Sequence, residues 1–445
     1  MVEDAALVVP AKKAKLDACL DPLTNVHPDV YELIFQHFSS ADVLESSAVS
    51  PEWFEATAKS PKCVAKLHLR IVVPYNKEEA VKYNKISEYL TSERNYQNIY
   101  LDNFQNIVPE VVKMMTGRKW KKVFISVRNL ENKKDFLDIM KLIEPTVETL
   151  SISRTSIKNF AVEDTHLTFP VLKKLELHRS YGLLMKEIAV NCTTLRHLKI
   201  DTDISSWRVN EQYLRQILIN NEHLEKLTLW KCSAQHAFDM ESIKKYRFRL
   251  KTFIYQNSGD QFGAATCEEE NCLLDFLISQ ADSLETLRVE EWFGVEVLKL
   301  IFQMPKLHHL TLDLDDAETT IDWDNLNLNP SMSIKKFHID SITKVRICNA
   351  LFNALPNLRI LTIDRLNNDT LNAVGSRCQM LEELEIQELR ANRVDDPLYF
   401  PNIKRLHCED RISMKVKRRI NIKPAADRTT FEQLVLTARP YFVTQ

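Results

Sequence analysis

Residues 381–386 read LEELEI, and the chain keeps returning to that phrase: LRILTI at 358–363, LEKLTL at 224–229, LKKLEL at 172–177. The shared template is apolar-x-x-apolar-x-apolar. Copies start at Val64, Tyr96, Trp120, Val147, Leu172, Leu195, Leu224, Leu250, Leu284, Leu307, Ile334, Leu358, Leu381 and Ile403. They lie about 26 residues apart on average, a spacing that signals a stacked array rather than a single core. The L-x-L alternation sends its apolar side chains to one side of a short strand. The segments between strands are helical in pattern. "VNEQYLRQILINNEHL", "GVEVLKLIFQMPKL", "TKVRICNALFNALPNL" and "DTLNAVGSRCQML" all carry apolar residues at three-and-four spacing. Pro170, Pro305, Pro356 and Pro401 each stand two residues ahead of the next copy, where proline ends a helix and favours extended backbone. Each unit is therefore strand, turn, helix, turn. One unit cannot bury its own leucines, so neighbours must stack. The expected fold class is α/β: a solenoid with parallel strands on a concave face and helices on the convex face, preceded by a small three-helix domain.

Bulk composition narrows the function. The 59 Lys and Arg nearly balance the 61 Asp and Glu, which argues against nucleic acid as the partner. The apolar runs are short, as in "VLKLIF", so no membrane span is expected. Glu3 and Asp4 stand where a signal peptide wants basic residues, and secretion is not expected. The nine cysteines are odd in number and form no C-x-x-C pair, which fits reduced thiols of the cytoplasm or nucleus. No Gly-rich phosphate loop, G-x-S-x-G or H-E-x-x-H occurs. His308 and His309 are adjacent rather than at ligand spacing, and "CEEENC" at 267–272 reads as a solvated loop. No catalysis, cofactor or metal is expected of this chain.

The period resembles that of leucine-rich repeats. CTTLRHLKI from Cys192 and CQMLEELEI from Cys378 resemble the cysteine-containing class, and Cys232 matches its inward position after the strand. In that reading these cysteines are buried packing groups.

Residues 22–58 read "PLTNVHPDVYELIFQHFSSADVLESSAVSPEWFEATA" and suggest three short helices. Pro28 opens the first, with Val30, Leu33, Ile34 and Phe38 at helical spacing. Asp42 is expected to cap the second, which carries Val43 and Leu44. Ser50 and Pro51 open the third, with Trp53 and Phe54. About forty residues make a weak core alone, so the cluster is expected to dock on something. This stretch is similar to an F-box. Val26 and His27 stand at that family's leucine-proline position, Asp29 at its acidic position and Ile34–Phe35 at its isoleucine-phenylalanine pair. Asp42–Val43 and Val49 with Trp53 match its later pieces, while His27, Ser50 and Pro51 replace its proline, cysteine and basic residue. An F-box followed directly by leucine-rich repeats is the order found in a class of ubiquitin-ligase substrate receptors. The resemblance implies that Val26, Pro28, Val30, Leu33, Ile34, Phe35, Phe38, Val43, Leu44, Val49 and Trp53 contact a Skp-type adaptor on a cullin scaffold. The repeat arc would hold a protein substrate, and the chain would supply proximity without bond chemistry. In the competing reading, Val30, Ile34 and Phe38 pack on the first repeat and the helices merely cap a protein-interaction scaffold.

The expected domains are a basic segment over 1–20, the helical domain over 21–63, about fourteen repeats over 64–410, and a basic segment with a capping helix over 411–445. Within each repeat the third, fifth and seventh template positions face the concave side. The third positions are often basic or His: Lys66, Lys122, Lys174, His197, Lys226, His309, Lys336, Arg405. The seventh turn acidic: Asp201, Glu290, Asp313, Asp340, Asp364, Glu409. Stacking should align them into two rails about 13 Å apart. The acidic rail from Glu290 to Glu409 is expected to meet a basic segment of the substrate. Trp230 is the large aromatic at a seventh position and a candidate anchor. Longer segments near 70–95, 256–283 and 315–333 are candidate binding loops. "PAKKAKLD" at 10–17 looks like a nuclear localisation signal. An RNA-binding reading of the basic rail is weighed against the acidic one and the balanced charge.

Overall fold

The computed structural model describes residues 27–72, 94–104, 109–127, 133–153, 167–178, 191–201, 211–256, 267–290, 294–314, 321–342, 344–390 and 400–408. Val26, Glu409, the basic N-terminal run and the expected C-terminal helix lie outside these residues, as do most of the first candidate loop, residues 257–266 of the second and residues 315–320 of the third.

Fourteen strands form one sheet: β1 (His68–Val72), β2 (Asn98–Phe104), β3 (Lys122–Val127), β4 (Thr149–Ser153), β5 (Lys174–His178), β6 (His197–Asp201), β7 (Lys226–Trp230), β8 (Thr252–Gln256), β9 (Thr286–Glu290), β10 (His309–Leu312), β11 (Lys336–Ile342), β12 (Ile360–Asn367), β13 (Glu383–Arg390) and β14 (Arg405–Cys408). They pair in chain order, β1 to β14. Every step is parallel. From β2 onward, each strand begins at the third position of its template copy. The fourth and sixth positions, such as Leu175, Leu177, Leu227 and Leu229, are fully buried beneath the helices. They join one continuous core running from Leu69 to Leu406.

The first copy departs from expectation. His68 pairs with Asn98 and Arg70 with Tyr100, so the inward residues are Leu69 and Ile71. The template read from Val64 is displaced by two. A two-residue slip leaves every side chain on its original face, so alternation alone cannot detect it. Lys66 therefore leaves the basic rail.

Buried turns need partners for their backbone groups. Asn221 supplies several: its Oδ1 accepts from the Leu195 N–H at 2.8 Å, and its Nδ2 donates to the Cys192 and Ile217 carbonyls at 3.0 and 2.7 Å. Gln280 repeats the device, accepting from the Leu250 N–H at 3.0 Å. Cys192, Cys232 and Cys378 are buried. The CEEENC stretch is not a loop but the opening of the helix Cys267–Gln280. Glu268, Glu269 and Glu270 complement the positive end of that helix. Leu273, Phe276 and Leu277 come next at helical spacing and enter the core.

Four short helices precede β1: α1 (Pro28–Phe35), α2 (Ser40–Ser47), α3 (Pro51–Lys59) and α4 (Pro61–Val64). Each starts where a side chain accepts from a free N–H: His27, Ser39, Ser50 and Ser60. The cap of α2 is Ser39 rather than Asp42, which instead closes a reciprocal capping box on the Ser39 N–H. Phe35, Val43, Cys63 and Leu67 form a second core, flanked by Tyr31, Phe38, Trp53, Ala56 and Tyr96. Leu67 and Tyr96 fasten it to the first repeats. Lys66 adds a polar clamp: its ammonium donates to the carbonyls of Phe35 at 2.8 Å and Gln36 at 2.9 Å, and also to that of Phe38. Lys62 donates to the Glu32 carbonyl at 3.0 Å. Both lysines thus sit at the carbonyl end of α1, where cations are favoured.

Candidate functional site

Two surfaces stand out, one on the N-terminal helices and one on the sheet. On α1, Val30, Leu33 and Ile34 share a face by their three-and-four spacing and are 42%, 57% and 44% exposed. Leu44 and Val49 are exposed too. These five are nearly half of the large apolar side chains exposed among the described residues. Single exposed aliphatics are ordinary, but a concentration within twenty residues is not. Phe35 and Val43 behave differently. They are buried in the second core and are not available as contact residues, which corrects their assignment. Phe38 and Trp53 are half-buried against Phe35, with ring centroids at 5.4 and 6.3 Å. Pro28 starts α1.

On the sheet, the third, fifth and seventh positions remain on the face opposite the helices. In-register pairing carries Leu312 to Ile339 and Ile339 to Ile363, so Asp313, Asp340 and Asp364 come next on three adjacent strands. Glu290 precedes them on β9, since the Asp313 N–H bonds the Val289 carbonyl at 3.1 Å. Stacking thus brings four of the expected acidic residues into one row. They are not equivalent. Glu290 is buried and ion-paired by Arg288 two residues back on its own strand, so its charge is already answered. Asp340 is nearly three-quarters buried among its neighbours. Burial first, then the charges of Asp313, Asp364 and Glu290, push its carboxyl up to about 7. A hydrogen bond with the Asp313 side chain raises it a little further. His338, at the fifth template position and on β11, leans across the strands. Its Nε2 lies 3.5 Å from Asp340 Oδ1 and 3.2 Å from Asp364 Oδ1. No sequence pattern singles out His338, because only the stacking of β11 on β12 joins it to Asp364.

Trp230 is half-buried, with the Lys199 ammonium 3.9 Å over its ring. It packs across the neighbouring repeat, and its indole N–H is buried with no acceptor among the described residues. Asp201 sits beside it in the same row, 3.7 Å from His178. In the basic row, Lys174 turns to Glu176 on its own strand at 2.8 Å. Burial, then neighbouring lysines, lower His197 and His309 from the ordinary imidazole value.

A further feature went unread in the sequence. His68, Arg70, Tyr100 and Phe124 line a cleft of about 450 Å³ at the start of the sheet. Tyr100 and Phe124 stack at 6.0 Å, and the Arg70 guanidinium lies 5.4 Å from the Tyr100 ring centre. The cleft forms only because β1 stacks on β2 in the register that sets His68 beside Asn98 and Arg70 beside Tyr100.

Fourteen parallel strands in chain order, with helices described in eight of the thirteen connections between leucine-rich strand copies, give the fold of a leucine-rich-repeat solenoid. No protein-family model matches the chain, and no curated protein sequence matches it. Among solved structures, a leucine-rich-repeat protein of Leptospira interrogans is 14% identical, with a TM-score of 0.31 over 80% of this chain and 100% of that one. An internalin of Listeria monocytogenes is 11% identical, with a TM-score of 0.28 over 74% of this chain and 85% of that one. The fold assignment stands on strand order and register. No described helix is long and apolar enough to cross a membrane.

Proposed function

We propose that this chain is the substrate-recognition subunit of a Skp–cullin–F-box type ubiquitin ligase, working in the nucleus or cytoplasm. The N-terminal helices dock on the adaptor, and the open sheet face holds a protein substrate. The observation that carries the reading is the division of labour in α1 and α2. Phe35 and Val43 hold the helices to the solenoid, while Val30, Leu33, Ile34 and Leu44 are left uncovered. A firmly attached helix with a bare aliphatic face suits helix-in-groove binding. On the sheet, the row of Asp313, Asp340 and Asp364 complements a basic substrate segment. The chain contributes position rather than catalysis.

The test is capture of a Skp-type adaptor and cullin by the wild type and by a Leu33→Asp, Ile34→Asp variant. Each buried aliphatic is worth about 1.5–3 kcal/mol, so losing two should weaken binding by more than about a hundredfold. Capture by the wild type alone supports the receptor. If neither binds while the repeats stay folded, the helices are a cap on a scaffold. That second reading has its own support in the Lys62 and Lys66 clamps and the contacts of Leu67 and Tyr96.

A further inference from the structure

We infer that His338, Asp340 and Asp364 form a binding site for one divalent transition-metal ion, with zinc as its reference occupant, on the open face of β11 and β12. The sequence suggests no metal, because 26 residues separate His338 from Asp364 and no ligand spacing is present. The fold removes that separation. One ligand atom from each residue lies within 4.8 Å of the others. The two distances from His338 Nε2, 3.5 Å to Asp340 and 3.2 Å to Asp364, are informative. Two donors bound to one tetrahedral zinc, each about 2.1 Å from it, are about 3.4 Å apart. The two His338 pairs therefore need shifts of only tenths of an ångström, and the Asp340–Asp364 pair, within 4.8 Å, closes by about 1.4 Å at most.

Donor chemistry selects the ion. One imidazole nitrogen with carboxylate oxygens suits zinc and neighbouring transition metals. Magnesium and calcium prefer all-oxygen shells of higher coordination number. The donors rise from two adjacent, hydrogen-bonded strands, so little order is lost on binding. Charge points the same way. Asp313, Asp340 and Asp364 stand side by side on three adjacent strands, a concentration of carboxylates that a bound cation offsets. Arg288 is committed to Glu290, and Lys336 lies four residues back on β11, about 13 Å along the strand. Three protein donors leave a coordination position open toward solvent.

The site lies in the acidic row, so zinc and a basic segment compete for it. Metal binding is measured on the chain alone, and its failure leaves the receptor reading standing. The full chain, stripped with a chelator, is titrated calorimetrically with zinc chloride, with magnesium chloride as the control. Cobalt(II) absorption reports the coordination shell. The wild type should bind one zinc more than a His338→Ala, Asp364→Asn variant and show a cobalt band that the variant lacks. Each single substitution should weaken binding by about tenfold or more. Unfolding midpoints in chelator verify the variants' fold, and Asp340→Asn, which removes a crowded charge, serves as a third. Equal zinc stoichiometry and equal cobalt spectra in the wild type and any folded variant overturn the site, as does a wild type that binds no zinc.

Discussion

Replacing Asp340 by Asn should stabilise the middle of the sheet, by an amount that depends on pH. Asp340 is raised from an ordinary 3.8 to about 7. Such a rise penalises the ionised form in the folded state by about 4 kcal/mol at the limit. The side chain keeps 29% exposure, so solvent screening reduces this to about 2 kcal/mol. The sign comes from linkage. Between pH 4 and 7 the folded state holds a proton that the unfolded state releases. Wild-type stability therefore falls as pH rises through that window, and the penalty is complete above it. Asparagine has no charge to penalise, and its amide can still donate to Asp313. Opening free energies are local in a repeat array, so hydrogen exchange of the β10–β12 amides is the suitable assay. In chelator at pH 8, Asp340→Asn should slow exchange there by about 30-fold relative to wild type, the equivalent of about 2 kcal/mol. At pH 4 the ratio should approach one. Taking the ratio at each pH cancels the intrinsic pH dependence of exchange. An equal ratio at both pH values, or faster exchange in the variant at pH 8, would refute the crowding account.

Phe35→Ala should cost about 3–5 kcal/mol in the second core and expose residues 28–64 to limited proteolysis, while exchange in β5–β12 stays unchanged. Loss of protection throughout the sheet would show that the two cores unfold together. Asp313→Lys with Asp364→Lys should abolish binding of a Lys-rich peptide measured by fluorescence anisotropy, without altering adaptor capture. Unchanged peptide binding would remove the acidic row from substrate recognition.

Most of the sheet was legible because one template dictates both burial and register. Once the alternation of Leu-x-Leu is seen, the starts of β2 to β14 are set to the residue. The acidic row was legible for the same reason, since parallel stacking turns equal template positions into neighbours. The failures share a different cause. The first repeat slipped by two because Leu67, Leu69 and Ile71 all alternate, and periodicity cannot choose among them. CEEENC was misread because its glutamates look solvated, although a helix N-terminus favours them. In α1, Ile34 and Phe35 are equally apolar in sequence, and only docking on Leu67 and Tyr96 decides which is covered. Glu290 lost its place as an available charge to Arg288, a pairing set by side-chain reach. His338 joined the site through a diagonal contact between strands that no local pattern records.

The N-terminal helices are fastened to the first repeats, and every later strand is fastened to the one before it. The chain is consequently a ruler. Ten strand steps separate β1 from β11, about 50 Å along the sheet at the usual strand spacing. Whatever occupies the acidic row is held at that set distance from whatever occupies α1. Adding or removing one repeat between them would change the reach by about 5 Å without touching either surface.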